Sequence, residues 1–118
     1  MFYYRYQDKT SKEGIIQIAY GSKSSKPEYE DEIFNTTWIF EDKLPVPNVK
    51  IPDGSRFWFT EAGLRAFRKS LKKLVEILRD YDIADIEQIR VENLDPSTII
   101  YKDTYQVCTY ERKNENGT

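Results

Sequence analysis

The sequence predicts an α+β fold, with a mainly antiparallel sheet of five to six strands packed on one long amphipathic helix. Several short stretches are rich in aromatic and β-branched residues, which favour strands. One longer stretch repeats its apolar residues with helical spacing. Runs of strands around a single helix are typical of α+β domains, and the predicted order is β-β-β-β-α-β-β.

The N-terminal half contains the first four predicted strands. They cover residues 2–7, 14–20, 33–41 and 55–59. The polar stretch DKTSKEG (8–14) predicts a hairpin loop, and GSKSSKPEYEDE (21–32) predicts a mobile surface loop. Three prolines in DKLPVPNVKIPDG (42–54) indicate an extended crossing segment, because proline interrupts both helices and central strands.

The helix is predicted from Thr60 to about Asp82, with Thr60 as the N-cap and Glu61 in the positive first turn. At about 100° per residue the apolar side chains form one stripe. This stripe contains Leu64, Phe67, Leu71, Leu74, Val75, Leu78 and Tyr81. Gly63 near the start predicts a close approach to a neighbouring backbone, since glycine otherwise weakens a helix.

The C-terminal part contains the remaining strands. QIRVENL (88–94) predicts a fifth strand, and TIIYKDTYQVCTYE (98–111) predicts one or two more, with a hairpin turn at Lys102-Asp103. The chain length suits one domain, which we place at 1–112, followed by a flexible polar tail at 113–118.

Composition and charge exclude several classes of protein. The net charge is −2 and the pI about 5.3, so no global field attracts nucleic acid or anionic lipid. No run approaches the ~20 apolar residues of a spanning helix, and the N-terminus lacks the features of a secretory signal. The single cysteine, Cys108, is consistent with a reducing compartment. We therefore expect a cytoplasmic protein with no membrane partner.

The sequence lacks the usual catalytic residues and motifs. The chain has no histidine, which removes the usual general base and transition-metal ligand. It has no phosphate-binding glycine loop, and the S-x-x-K match at Ser70 lies in the middle of the predicted helix without companion motifs. We predict no catalytic residue, no metal site and no cofactor.

Two acidic clusters leave metal-dependent activity as an alternative. One cluster contains Glu28, Glu30, Asp31 and Glu32, and the other contains Asp80, Asp82, Asp85 and Glu87. Carboxylates of this kind can hold Mg²⁺, but neither run has the ligand spacing of an EF-hand. Solvated surface charge is the favoured interpretation.

The aromatic strands predict a binding face. Side chains alternate along a strand, so Phe2, Tyr4 and Tyr6 are expected to pack under the helix while Tyr3 and Arg5 point the other way. Trp38 and Trp58 are candidate neighbours of Tyr3 and Arg5 on that second face. Because one helix covers only one face, the second face must meet the proline-rich segment, a second subunit or a ligand.

The polar side of the helix predicts a second candidate surface. Its cations are Arg65, Arg68, Lys69, Lys72 and Lys73. Such a stripe can follow a phosphate backbone, although a half-buried helix also places basic residues in solvent by default.

These observations favour a non-catalytic binding module, a small cytosolic inhibitor, immunity or adaptor-type domain that uses its aromatic-rich sheet face against a protein partner. A second copy of the chain, bound through the second sheet face, is a further candidate partner. One alternative is a single-stranded nucleic-acid-binding domain that stacks bases on aromatic residues and contacts phosphates with the helix cations. Another is a protein that binds or sequesters a small ligand.

Overall fold

The computed structural model describes residues 1–111, and the predicted tail at 113–118 lies outside that range. The strands are β1 (Phe2–Asp8), β2 (Arg56–Phe59), β3 (Ile86–Glu92), β4 (Ile99–Lys102) and β5 (Gln106–Thr109). The helices are α1 (Ile15–Gly21), α2 (Glu28–Lys43) and α3 (Glu61–Asp80), with a 3-10 turn at Pro96–Thr98. The α+β class is confirmed.

The five strands form one sheet in the order β3-β1-β2-β5-β4, and every neighbouring pair is antiparallel. β1 pairs with β3 along its whole length, but its register with β2 contains only the pair Tyr4 and Phe59. The predicted C-terminal hairpin is confirmed. The Asp103 carboxylate caps its turn by accepting the backbone N–H groups of Tyr105 (2.8 Å) and Gln106 (3.1 Å).

Helix α3 is the centre of the core, as its apolar stripe predicts. The Thr60 hydroxyl accepts the backbone N–H of Gly63 at 3.0 Å, which confirms the predicted N-cap. The buried apolar side chains of α3 are Phe67, Leu71, Leu74, Ile77 and Leu78, and all of them except Ile77 belong to the predicted stripe. They contact the sheet on one side, where Phe59 lies 6.1 Å from Phe67 between ring centroids.

The predicted strand at residues 14–20 is wrong, because Ile15–Gly21 form helix α1. Its isoleucines suggested a strand, yet the buried residues are Ile15, Ile18 and Ala19. This spacing of three and four places all three on one side of a helix, whereas a strand would turn Ile15 and Ile18 to opposite faces. Packing of this side against the core cluster decides the conformation.

The predicted strand at residues 33–41 and the loop before it are also corrected, because Glu28–Lys43 form helix α2. Glu28, Glu30 and Asp31, expected in a mobile loop, lie in the first helical turn, where carboxylates interact favourably with the helix dipole. The buried residues of α2 are Tyr29, Ile33, Thr37 and Phe40, which again have helical spacing.

Helix α2 packs antiparallel to α3. Tyr29 near the start of α2 contacts Tyr81 just beyond α3, with ring centroids 5.2 Å apart. Phe40 near its end contacts Phe67, with centroids 5.1 Å apart. The Tyr81 hydroxyl donates to the Glu32 carboxylate, and this bond raises the pKa of Tyr81 to about 12. One side of α2 is therefore occupied by α3.

Of the three β1 residues predicted to pack under the helix, Tyr4 and Tyr6 do so and Phe2 does not. Tyr4 and Tyr6 pack against the core, and the Tyr6 ring meets Phe59 edge-on at 6.5 Å. Phe2 lies towards the end of the sheet, where the Arg90 guanidinium sits 4.5 Å from its ring centroid.

Gly63 permits the close approach that its position in the helix predicts. A Cβ at this residue would lie 2.9 Å from the Tyr105 carbonyl carbon and closer still to the carbonyl oxygen. Tyr105 belongs to the hairpin before β5, and its carbonyl also accepts the Thr60 N–H at 3.0 Å. The missing side chain therefore lets the start of α3 rest on the sheet.

We expect Gly63→Ala to lower the free energy of unfolding by about 1–3 kcal/mol, because the methyl group must displace backbone rather than a flexible side chain. Urea denaturation followed by circular dichroism measures this change. Gly21→Ala is the matched control, since nothing lies within 4 Å of a Cβ there. That variant should be neutral or gain up to about 1 kcal/mol. Equal losses at both positions would contradict the close-approach argument.

Candidate functional site

The nine predicted binding residues lie in separate parts of the molecule. Arg5 and Trp58 border one cavity, whereas Tyr3 is half-buried in β1 and does not line it. Trp38 is on helix α2, so the expectation that it shares a sheet face with Tyr3, Arg5 and Trp58 is wrong. The remaining five lie along α3. They are Arg65, Arg68, Lys69, Lys72 and Lys73.

Arg5 is a buried cation, with only 6% of its surface exposed. Its Nε donates to the Gln7 side-chain oxygen at 2.9 Å. One terminal nitrogen donates to the Phe57 carbonyl of β2 at 3.2 Å, and the other donates to the Lys12 carbonyl at 3.0 Å. The guanidinium thus connects β1 to β2 and to the loop before α1. It does so where β1 and β2 are paired through only one residue of each strand.

No carboxylate pairs with Arg5 within residues 1–111, where the ion pairs involve Lys9, Lys12 and Arg79 instead. Burial and, to a smaller degree, the neighbouring Arg56 lower the pKa of Arg5 to about 10. The side chain therefore stays charged at neutral pH. Within residues 1–111 its charge is stabilised by the dipoles of the groups that accept its hydrogen bonds.

The cavity beside Arg5 has a volume of about 540 Å³. It lies between the start of α1, the end of α2, β2 and the proline-rich segment. Its walls are mainly apolar and include Ile15, Phe40, Leu44, Pro47, Ile51 and Trp58. The proline-rich segment was one of the predicted covers for the second sheet face. This segment borders the cavity without filling it.

The five predicted cations of α3, which do not include Arg79, are all exposed. None of the five takes part in an ion pair within the described part of the chain. Arg68 and Lys72 also line a groove of about 650 Å³ beside β1 and β3. Tyr4 and Tyr6 lie in the same groove, and Gln88 donates to the Tyr6 hydroxyl at 2.9 Å. The fold thus brings the aromatic strand and the helix cations together.

An aromatic patch on the outer side of α2 consists of Tyr20, Phe34 and Trp38. Their exposed fractions are 52%, 67% and 50%. Phe34 and Trp38 are one helical turn apart and point away from the side that contacts α3. Tyr20 belongs to α1 and lies near Thr37 and Glu41 of α2, where desolvation raises the pKa of its hydroxyl. Tyr20 and Phe34 were not among the predicted binding residues, because both were predicted to lie in strands.

Carboxylates surround the aromatic patch. At about 100° per residue, Glu30, Asp31, Glu41 and Asp42 fall in the same sector of α2 as Phe34 and Trp38. All four acidic residues are exposed. The outer side of α2 is therefore acidic and aromatic, whereas the exposed side of α3 is basic.

The remaining candidates for chemistry are the Cys108 thiol and the acidic side chains. The Cys108 thiol is fully buried in β5, and desolvation raises its pKa. Among residues 1–111, no cluster of three or more His, Cys, Asp or Glu side chains could hold a metal ion. In the same range no helix has the length and apolar character needed to cross a membrane.

Comparisons of the chain with protein-family models, with curated proteins and with solved structures find no match.

The loop that supports Arg5 is held by Asp8. One Asp8 carboxylate oxygen accepts the backbone N–H groups of Thr10 (3.1 Å) and Ser11 (2.8 Å). The other accepts the N–H of Asp85 at 3.0 Å. These bonds lower the pKa of Asp8 below its ordinary value. The same loop supplies the Lys12 carbonyl that accepts from Arg5.

We expect Asp8→Asn to destabilise the protein at neutral pH and to matter less in acid. Because folding lowers the pKa of Asp8, its contribution is fully present above the ordinary value of 3.8 and is lost as the pH falls through the folded value. Urea denaturation at neutral pH and near pH 3 (about one unit below the ordinary aspartate value) measures the difference between wild type and variant. A difference that stays constant between the two pH values would contradict this role.

Proposed function

We propose that this chain is a non-catalytic protein-binding domain of the inhibitor, immunity or adaptor type, and that it binds its partner with the aromatic patch on α2. The observation that carries the proposal is the exposure of Phe34 and Trp38 one turn apart on a single helix side. Large apolar side chains grouped on a surface mark interaction sites, and tryptophan is enriched among residues that dominate binding energy.

The acidic rim defines the partner's chemistry. Glu30, Asp31, Glu41 and Asp42 are exposed around the aromatic patch. A complementary protein surface therefore has an apolar hollow for the two rings and lysine or arginine around it. Charges at the rim mainly accelerate association and select among partners, while the buried rings supply most of the affinity.

A binding role without catalysis in the cytoplasm is part of the same proposal. The sequence has no histidine, and its one thiol is buried with a raised pKa. A buried, unpaired cysteine suits a reducing compartment. A second copy of the chain remains a candidate partner, and Tyr3, half-buried beside Val91, belongs to the sheet face proposed for that contact.

Single-stranded nucleic acid is a second candidate ligand, favoured by the groove beside α3. Tyr4 and Tyr6 line this groove together with Arg68, Lys72 and Arg79. Aromatic rings that stack on bases and cations that follow phosphates are the usual elements of sequence-tolerant single-strand binding. Both tyrosines are only half-buried, which leaves part of each ring accessible.

Replacement of Phe34 and Trp38 should weaken partner binding strongly without unfolding the domain. Affinity purification from cells of the natural source, with wild type and with the Phe34→Ser/Trp38→Ser variant, identifies the proteins that depend on the patch. Titration of such a protein, once purified, should show a loss of affinity of about 30-fold or more in the variant.

Asn35→Ser is the matched control, because Asn35 is exposed on the same helix outside the aromatic sector. It should retain the affinity of the wild type. Binding should also change the tryptophan emission, since Trp38 is half exposed while Trp58 is only 7% exposed. Equal binding by the wild type and the double serine variant would overturn the proposal, and light scattering separates self-association from binding to a different protein.

The nucleic-acid candidate predicts salt-dependent binding of a labelled single-stranded oligonucleotide, measured by fluorescence anisotropy. Changing Arg65, Arg68 and Lys72 to Glu should remove this binding. The control variant changes Lys23, Lys43 and Lys50 to Glu. These lysines are exposed, and their replacement changes the net charge by the same amount as the first triple variant. Similar losses in both triple variants, or no binding by the wild type at low ionic strength, would reject a specific site on α3.

A further inference from the structure

We propose that the cavity beside Arg5 binds a small organic acid, an apolar molecule whose single carboxylate pairs with the Arg5 guanidinium. This site differs from the aromatic patch of α2. Tyr20 borders both, whereas Phe34 and Trp38 do not line the cavity. Binding here is therefore a property separate from the proposed protein contact.

The charge requirement comes from Arg5. The residue is more than nine-tenths buried and has no carboxylate partner within the described part of the chain. Its three hydrogen bonds to protein oxygens use only part of the donor capacity of an arginine. Gln7 in turn donates to the Glu87 carboxylate at 3.0 Å, so this acid is connected to Arg5 through the Gln7 amide. A buried unpaired cation favours an anionic ligand.

The size and polarity of the cavity define the rest of the ligand. Its volume of about 540 Å³ falls within the usual range for small-molecule sites. Most of its lining is apolar, with Trp58, Phe40 and Ile51 among the side chains that would contact the ligand body. Glu41 and Asp53 lie at its border and are exposed. Their charge disfavours a second anionic group, so a monoanion fits best.

Gly14 lies beside the Arg5 guanidinium. It lines the cavity, and a Cβ built on it would lie 3.5 and 3.6 Å from the two terminal nitrogens of Arg5. These are ordinary contact distances, and the backbone of Gly14 (φ −69°, ψ 147°) accepts an alanine without strain. A methyl group at this position would therefore obstruct the approach to Arg5 and leave the fold intact.

Calorimetric titration with matched acid and amide probes tests the proposal. One pair is decanoate and decanamide, and a second pair with a different apolar body is naphthylacetate and naphthylacetamide. The wild type should bind at least one acid about tenfold or more tightly than its amide, as expected for a hydrogen-bonded charge pair. Equal affinity for acid and amide in both pairs, or no binding of either acid, would overturn the proposal.

Three variants assign the preference to Arg5. Gly14→Ala should reduce the affinity for the acid towards that for the amide, and Arg5→Met should remove the preference. Arg56→Met loses the same charge from an exposed position in β2 and should retain the preference. If Arg5→Met does not fold, the comparison of Gly14→Ala with Arg56→Met decides alone. A preference that survives Gly14→Ala, or that disappears in Arg56→Met, would contradict the assigned site.

Discussion

The apolar stripe of α3 is the constraint on which the other elements depend. Residues such as Leu71, Leu74 and Leu78 have no exposed surface, which a single sheet face cannot achieve for a helix of this length. The sheet covers one side and α2 covers another, with Phe67 in contact with both Phe59 and Phe40. The core therefore needs α2 as a second cover for α3, and the side of α2 that faces away from α3 is left on the protein surface.

This arrangement explains why aromatic residues are exposed on α2. The helix buries Tyr29, Ile33 and Phe40 towards the core and needs no further apolar contact for the fold described here. Phe34 and Trp38 add apolar area on the solvent side, where polar residues would serve stability equally well. Packing within the described residues does not account for these exposed rings, and the proposed protein contact rests on this observation.

The sequence predicted the elements whose pattern extends over many residues. The long stripe of α3, the Thr60 cap and the C-terminal hairpin are all found. Residues 14–20 and 33–41 were misassigned because short runs of isoleucine and phenylalanine suit either conformation, and the choice depends on contacts with α3. The spacing of Ile15 and Ile18 was the helical signal available. The cavity beside Arg5 could not be predicted, since it is formed by segments distant in sequence.

The net charge of −2 conceals two opposite surfaces. Helices α2 and α3 lie antiparallel in contact, yet the exposed side of one carries Glu30 and Glu41 and that of the other carries Arg68 and Lys72. The net charge of the whole molecule argues against binding of a polyanion. Interactions between exposed charges, however, are screened beyond about a Debye length, which is shorter than the protein. Each surface therefore presents its own field to a partner. The acidic side of α2 therefore need not repel an anionic ligand that binds to the basic side of α3.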